Sequence, residues 1–147
     1  MSLTMTKAGR EAFLADTHVA VISIEEAGRG PLTIPVWYRY TPGGKVRIVS
    51  YSDAKKVALV SKAGRMSLCV QTEEPPYQYV SVEGPAVVTD QVDAEIDERQ
   101  VAFRYLGKDL GEAYLSMMAE ERAEHGTVVI ELTPERWITV DYRQMGG

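Results

Sequence analysis

Residues 47–57, RIVSYSDAKKV, mark the point where a strand pattern changes into a helical pattern. The first half is rich in β-branched and aromatic residues, which favour a strand. The continuation DAKKVALVSKAG places its apolar residues at helical spacing, with Asp53 at the expected N-cap and Gly64 at the expected C-cap. The stretch therefore predicts a strand, a polar corner and a short helix over residues 53–64.

The rest of the chain predicts further strands around this corner. Turn residues separate the apolar runs, and TPGG at residues 41–44 indicates a tight hairpin. We predict strands at 18–24, 32–40, 45–51, 65–72 and 77–90, the last with a bulge at Gly84 and Pro85, and two closing strands around Thr133 and Pro134. We also predict helices at 6–14 and 91–124, the second broken near residues 107–111.

This order of elements predicts a mainly β protein with helices. Strands joined by tight turns run antiparallel, and a sheet of this size closes into a barrel or a sandwich, which protects its edges. With 147 residues, the chain is long enough to bury a core, and we expect residues 1–147 to form a single domain.

Composition and charge exclude several classes of function. The formal net charge is -5 and the chain has no run of like charges, so a broad nucleic-acid surface is not expected. The start of the chain lacks a signal peptide, and no segment reaches the roughly 20 apolar residues of a membrane span. We expect a cytoplasmic protein with no membrane or nucleic-acid partner.

Metal and thiol chemistry find little support. Cys69 is the single cysteine and lies in an apolar run, which is typical of a small buried hydrophobe. His18 and His125 do not lie in a metal-ligand spacing, and His125 ends a charged helix, where a cation favours the helix dipole. We expect no metal site.

The corner offers two interpretations. A helix start exposes unpaired N–H groups, and Ser50, Ser52, Lys55 and Lys56 add hydroxyl donors and positive charge, which together suit a phosphate. The same residues also fit an ordinary helix start with a cap and solvated lysines. The residues alone leave both interpretations open.

Three stretches in order resemble the pyridoxamine-phosphate-oxidase-like family of flavin and deazaflavin oxidoreductases. They are PLTIPVWYRY, VRIVSYSDAKKVALVSKAGRMSLCV and PPYQYVSVEGPAVV, and the resemblance covers roughly residues 13–88. It implies a split antiparallel β-barrel that forms a homodimer, with the cofactor in a groove between the subunits. The corner would then hold the cofactor phosphate.

The resemblance also implies which residues bind the cofactor. Ser50, Ser52 and either Lys55 or Lys56 would hold the phosphate, the choice between the lysines staying open. The strand from residue 34 to 38 would lie along the ring system, and Tyr79 stands where the vitamin B6 oxidases have a glutamine. The predicted cofactor-binding set is therefore Ile34, Pro35, Val36, Trp37, Tyr38, Ser50, Ser52, Lys55, Lys56 and Tyr79. Core packing is the alternative for the aromatic residues.

Departures from the family pattern narrow the expected chemistry. The vitamin B6 oxidases carry an arginine where this chain has Leu32, Thr33 and Ile34, and their C-terminal substrate motif has no counterpart in TVDYRQMGG. The chain looks more like the branch that uses coenzyme F420, with FMN as the alternative. We expect hydride transfer to a small organic acceptor, without naming a catalytic residue; Tyr38, Tyr77, Tyr79 or solvent can supply a proton.

Two other functions stay open. Related barrels store flavin or handle haem without turnover, so a non-catalytic cofactor-binding barrel is one. The other is a cofactor-free dimeric interaction module, because the sequence presents no identifiable acid or base. Phosphate-ligand binding separates the second from the rest.

Overall fold

A computed structural model describes residues 2–146. Its strands are β1 Ala20–Ile24, β2 Leu32–Val36, β3 Val46–Tyr51, β4 Arg65–Gln71, β5 Gln78–Thr89, β6 Thr127–Leu132 and β7 Arg136–Asp141. The α-helices are α1 Lys7–Ala15, α2 Lys55–Ala63, α3 Gln100–Met117 and α4 Ala119–His125. A π-helical segment, Ala94–Arg99, leads into α3, and a 3-10 helix, Tyr142–Gly146, follows β7.

The seven strands form one antiparallel sheet that curls into a half-barrel. Its order is β2-β1-β4-β5-β6-β3, and β7 pairs with β5. The long strand β5 joins the two parts of the sheet, because residues 79–85 pair with β4 and residues 86–89 pair with β6. The predicted mainly β, antiparallel fold is confirmed.

The core lies inside the curl of the sheet. Alternate residues of the strands point inward, so that Ile22, Leu68, Val80 and Ile130 are buried together, and Leu14 of α1 closes one end. Burial of these branched side chains is the main stabilising contribution. The sheet is thus a rigid frame on which the ends of β2 and β3 are held.

Two details of the prediction are wrong. Asp53 does not cap α2, because the N-cap is Ala54 with no side-chain hydrogen bond, and the Asp53 carboxylate instead contacts His125 at 2.7 Å. β5 also has no bulge at Gly84 and Pro85, where its pairing with β4 continues in unbroken register.

Gly84 has a different role from the one predicted. A Cβ at this position would lie 1.9 Å from the carbonyl oxygen of Thr133 and 3.2 Å from the Cβ of Glu135. The missing side chain lets the β6–β7 turn approach the backbone of β5. Glycine is required here for close packing of the backbone.

The helical region after β5 breaks where the sequence predicts. Gly107 has φ 80° and ψ 174° inside α3, and Gly126 has φ 72° and ψ 161° after α4. Both backbone conformations favour glycine. Of the helices in residues 2–146, none is long and apolar enough to cross a membrane.

Candidate functional site

A cavity of about 550 Å³ lies between the half-barrel and the helical region. One side, which we call the barrel wall, comes from the ends of β2 and β3 and the start of α2. The other side, which we call the helical cover, comes from residues 94–125. The lining residues are Val19, Pro35, Val36, Trp37, Val49, Ser50, Tyr51, Ala54, Lys56, Asp97, Glu98, Val101, Ala102, Tyr114, Leu115, Met118, Arg122 and Thr127.

The strand-to-helix corner contributes hydrogen-bond donors to this cavity. Ser50 is buried on β3 and lines the cavity, and its hydroxyl donates only a long hydrogen bond, 3.4 Å, to the Tyr51 carbonyl oxygen. Within residues 2–146, the backbone N–H groups of Lys55 and Lys56 have no hydrogen-bond acceptor. A helix start with free N–H groups beside a hydroxyl is suited to an anion.

The structure separates the two neighbouring lysines. The Lys55 ammonium lies 2.9 Å from the Glu26 carboxylate on an exposed surface, and this contact lowers the pKa of Glu26. Lys56 is half-buried and lines the cavity, and no carboxylate of the described chain lies within 4.0 Å of its ammonium. Burial lowers the pKa of Lys56, so an anion in the cavity would stabilise its charge.

Trp37 and Tyr38 point in opposite directions. The Trp37 ring faces the cavity and stacks on Tyr105, with centroids 5.0 Å apart and planes at 5°. Tyr114 packs against the same indole at 5.3 Å. The Tyr38 ring lies in the core, where burial raises the pKa of its hydroxyl and that hydroxyl donates to the Leu14 carbonyl oxygen at 2.6 Å.

The other predicted residues are divided between the cavity and the rest of the barrel. Pro35 and Val36 line the cavity, while Ile34 packs against the core. Ser52 is exposed, and its backbone N–H donates to the Gly126 carbonyl oxygen. Tyr79 lies on β5 between Gln71 and Val140, away from the cavity lining.

Asp97 connects the helical cover to the barrel wall. Its carboxylate accepts two hydrogen bonds of 2.9 Å from Arg47, lies 3.5 Å from Arg39 and accepts the Asp93 backbone N–H. Burial opposes the ionisation of Asp97, but the hydrogen bonds and the two guanidinium charges outweigh it. The pKa of this carboxyl therefore lies below its ordinary value.

The helical cover was not predicted to form a wall of the site. The predicted helical region 91–124 was given no role in the site. The signal lay in the apolar residues of the same helices, because Val101, Tyr114, Leu115 and Met118 form a face that must pack against something. They pack over the barrel and leave the cavity between.

Both histidines contact other groups of the chain. His18 Nε2 lies 2.9 Å from the Phe13 carbonyl oxygen, and its ring stacks on Phe13. His125 ends α4, and its hydrogen bond with Asp53 raises the pKa of its imidazole. The donor atoms of Glu121, Glu124 and His125 come within 4.8 Å of one another on the surface, an arrangement common on acidic helices.

Comparison with known proteins gives a result at the level of structure. No protein-family model and no curated protein matches the sequence. A conserved hypothetical protein from Mycobacterium tuberculosis superposes with a TM-score of 0.79 at 18% identity, over 99% of this chain and 90% of that one. A protein from Listeria innocua assigned as a pyridoxamine 5'-phosphate oxidase gives 0.63 at 14% identity, over 90% and 96%.

The chain has the pyridoxamine 5'-phosphate oxidase-like split-barrel fold. An F420 reductase also superposes on this split barrel, with a TM-score of 0.60 at 14% identity, over 87% of this chain and 94% of that one. An FAD-binding protein from Mesorhizobium loti gives 0.63 at 16% identity, over 92% and 93%. At such identities the likeness establishes the fold, and the cavity itself has to indicate the function.

Proposed function

We propose that this split barrel is an oxidoreductase that uses coenzyme F420 to transfer hydride to a small organic acceptor. The observation that carries the proposal is Lys56, a half-buried ammonium without a carboxylate partner in the described chain, facing a cavity with an aromatic wall. A buried cation is costly unless an anion joins it. A cofactor phosphate is such an anion.

The lining residues fit a phosphorylated ring cofactor. Ser50, Lys56 and the free N–H groups at the start of α2 would hold the phosphate. Trp37, stacked on Tyr105, offers an apolar surface to a flat ring, and the exposed side of Pro35 and Val36 continues it. A cavity of about 550 Å³ is within the range of small-molecule sites.

The bound deazaflavin would supply the hydride, and the protein would bind and orient the two reactants. Trp37 and the helical cover exclude water from the cavity on two sides. Tyr38 does not reach the cavity, because its hydroxyl is held by the Leu14 carbonyl oxygen in the core. We therefore assign the proton on the acceptor to solvent rather than to Tyr38.

FMN is the second candidate cofactor. It also presents a phosphate and a flat ring, and the contacts at Lys56 and Trp37 suit both. Non-catalytic flavin binding would use the same contacts. Haem is a further candidate, for which the described cavity lining offers Met118, Tyr51 and Tyr114 but neither histidine nor cysteine as an axial ligand.

The test is a fluorescence titration with F420 and with FMN on the wild type, Lys56→Gln and Lys55→Gln. The adjacent lysines provide a matched pair, because each variant removes one positive charge from the same turn of α2. Loss of a charge-assisted hydrogen bond of about 1.5–3 kcal/mol predicts an affinity lowered roughly tenfold or more in Lys56→Gln. Lys55→Gln should bind like the wild type.

The outcomes separate the candidates. F420 binding with reduction of acceptors supports the proposal, and binding of FMN alone moves the protein to the flavin alternative. A bound cofactor without turnover indicates a storage barrel. If neither cofactor binds, or if Lys56→Gln leaves the affinity unchanged, the phosphate-site assignment is rejected and a cofactor-free interaction module becomes the better explanation.

We propose in addition that the protein works as a homodimer. The outer face of the sheet carries an uncharged row, Val21, Cys69, Ser81 and Ile138, one residue from each of four neighbouring strands. Val21 and Ile138 are 42% and 64% exposed. An uncharged row with exposed apolar side chains on the outer face of a sheet is typical of a protein–protein contact.

Light scattering on the wild type and Ile138→Arg tests this contact. A buried arginine without a partner disrupts an apolar interface, so we expect dimers for the wild type and monomers for the variant. Lys7→Arg, in α1, is the control, because it introduces an arginine side chain without changing the net charge and lies outside the proposed contact. A wild type that is monomeric at micromolar concentration contradicts the dimer proposal.

A further inference from the structure

A second, smaller groove of about 280 Å³ lies beside the main cavity. It is lined by Arg39, Gln100, Val101 and Arg104. Val101 also lines the main cavity, so this side chain borders both spaces.

The groove brings together two guanidinium groups with unused donors. In residues 2–146, the buried side-chain nitrogens or oxygens without a hydrogen-bond partner are the Nε atoms of Arg10, Arg39 and Arg104. Arg10 lies outside the groove, and its guanidinium stacks on the Trp137 ring at 4.5 Å. The other two belong to the groove, and a buried donor without an acceptor is destabilising.

The contacts that these arginines make within the chain leave donor capacity free. Arg104 donates to the Ala15 carbonyl oxygen, and no carboxylate in the described residues lies within 4.0 Å of it. Arg39 reaches Asp97 only at 3.5 Å, and the two oxygens of that carboxylate are held by Arg47 at 2.9 Å. Each guanidinium can therefore donate to a ligand.

The local charge of the groove differs from that of the protein as a whole. The chain carries a formal net charge of -5, but the groove lining consists of two arginines, a neutral amide and a valine. Glu98 lines the main cavity and not the groove. Asp97 offsets part of the Arg39 charge at 3.5 Å, and Arg104, which has no carboxylate partner in the described residues, leaves the groove lining positive, so that an anion is favoured there.

We propose that the groove binds the carboxylate of the organic acceptor, so that the substrates are carboxylic acids with an apolar body. The planar guanidinium groups of Arg39 and Arg104 match a carboxylate in shape and charge, and Gln100 adds an amide donor. The apolar body lies in the main cavity against Trp37, Leu115 and Met118. This inference rests on the proposed function in taking the main cavity as the substrate site.

The test needs no cofactor and is made in the Lys56→Gln background, because Lys56 is itself a candidate anion site of the main cavity. The probes are 3-cyclohexylpropanoate and 3-cyclohexylpropanamide, which share an apolar body and differ in charge. Neither absorbs at the tryptophan excitation wavelength, so binding is followed through the emission of Trp37. Trp137 belongs to the side of the barrel at Arg10, and Trp137→Phe confirms the source of the signal.

We expect the carboxylate to bind at least tenfold more tightly than the amide. Arg39→Gln with Arg104→Gln should remove this preference, and Arg104→Lys should retain part of it because the charge stays while the fork geometry is lost. Arg99→Gln is the matched control, because Arg99 is exposed, contacts Glu112 at 3.2 Å and does not line the groove. Its preference should equal that of the Lys56→Gln parent.

The native Arg39 and Arg104 side chains contact Asp97 and the Ala15 carbonyl oxygen, so their replacement can also lower stability. Thermal melting of each variant therefore accompanies its titration. If the double variant does not fold, the comparison of Arg104→Lys with Arg99→Gln decides. Equal affinity of carboxylate and amide for the Lys56→Gln parent overturns the inference. So does a carboxylate preference that survives in a folded Arg39→Gln/Arg104→Gln variant.

Failure of this inference differs from failure of the proposed function. If F420 or FMN binds through Lys56 but the Lys56→Gln parent does not distinguish the carboxylate from the amide, the groove assignment is wrong and the oxidoreductase proposal stands. If the carboxylate binds through the arginines but neither cofactor binds, the groove is an anion site of a protein with another function.

Discussion

The barrel wall and the helical cover enclose the same cavity but are held in different ways. The wall is built from β2, β3 and α2, whose inward residues, such as Val36, Ile48 and Val60, belong to the core. The cover exposes large apolar side chains, with Leu110 at 66% and Met117 at 74%. Its polar contacts with the barrel are concentrated in residues 97–105, where Asp97 pairs with Arg47 and the Tyr105 hydroxyl donates to the His18 carbonyl oxygen, while the far end is held by the partly exposed His125.

This difference separates the tasks of the two sides. A wall that is part of the core fixes the positions of Trp37, Ser50 and Lys56 whatever occupies the cavity. A cover with little buried area and a glycine at each end of residues 108–125 can change position at low cost. Changes in the wall should therefore affect folding first, and changes in the cover should affect ligand binding first.

The largest effect is expected from Gly84→Ala in the barrel. The new Cβ would lie 1.9 Å from the Thr133 carbonyl oxygen, so β5 and the β6–β7 turn would have to move apart. We expect a loss of about 3 kcal/mol or more in the free energy of unfolding, measured by urea denaturation. Gly30→Ala is the control, because a Cβ there meets nothing within 4 Å.

An unfolding midpoint for Gly84→Ala equal to that of Gly30→Ala would contradict the close packing of this turn. It would also weaken the contrast between the two sides of the cavity, since the barrel that carries the wall would then tolerate movement as the cover does.

The second-largest effect on stability is expected at Asp97, which joins the helical cover to the barrel wall. Asp97→Asn removes the charge that pairs with Arg47 and Arg39 while keeping the side-chain volume. Breaking one partner of a buried ion pair leaves the arginines uncompensated, and we expect a loss of about 3 kcal/mol at neutral pH. Glu131→Gln is the control, because Glu131 contacts Arg47 alone at 3.1 Å and is less buried.

The pH dependence of this loss has a fixed sign. The pKa of Asp97 is lowered in the folded protein, so its contribution is present above the unfolded pKa of about 3.9 and is lost as the pH falls through the folded pKa. The stability difference between the wild type and Asp97→Asn should therefore shrink in acid. A difference that does not change between pH 7 and pH 3 would contradict the ion-pair account.

The sequence was sufficient for the barrel wall because its signals are local. Strand alternation, the TPGG turn and Gly64, at φ 71°, are each set by a few neighbouring residues. The order of these signals along the chain also resembles that of the pyridoxamine-phosphate-oxidase-like family, and this resemblance predicted the split barrel. The wrong details, the Asp53 cap and the bulge at Gly84, both involve a partner distant in sequence, namely His125 and Thr133.

The same limit applies to the candidate site. Lys55 and Lys56 are equivalent in the sequence, and they are distinguished by the fold, which pairs Lys55 with Glu26 and turns Lys56 into the cavity. Trp37 and Tyr38 are distinguished by strand geometry, which sends adjacent side chains to opposite faces. The helical cover was missed because its apolar residues are sparse among charges and their partner is the barrel, tens of residues earlier in the chain.

A third, smaller loss of stability is expected at Gly107, where the helical cover breaks. Gly107 has a backbone conformation that other residues adopt with strain, and a Cβ there would meet nothing within 4 Å. Gly107→Ala should therefore cost about 1–2 kcal/mol through the backbone alone. Gly28→Ala, also at positive φ and in open space, is the matched control.

Both variants should lose stability in urea, but only Gly107→Ala should lower the affinity for F420 or FMN, because only Gly107 sets the path of the cover. Equal affinities in the two variants would mean that the cover does not shape the site, and the cavity would then be defined by the barrel wall.

The smallest effect is expected at His125, which ties the end of the cover to the corner. Its Nδ1 lies 2.7 Å from Asp53, its Nε2 lies 3.5 Å from Glu121, and Glu124 and the Tyr51 ring are close by. Hydrogen bonding to Asp53 raises the pKa of the imidazole in the folded protein. The resulting stability is present below the unfolded pKa of about 6.5 and is lost as the pH rises through the folded pKa.

His125→Gln should therefore lower the melting temperature slightly at pH 5.5 and hardly at all at pH 9. The effect stays small because the pair is partly exposed and screened by solvent and salt. In an Asp53→Asn protein, the melting temperature should lose most of the pH dependence that His125 causes, because Asp53 makes the shorter of the two contacts with this imidazole. A melting difference independent of pH would show that the cover is held at this end by packing of α4, and not by charge.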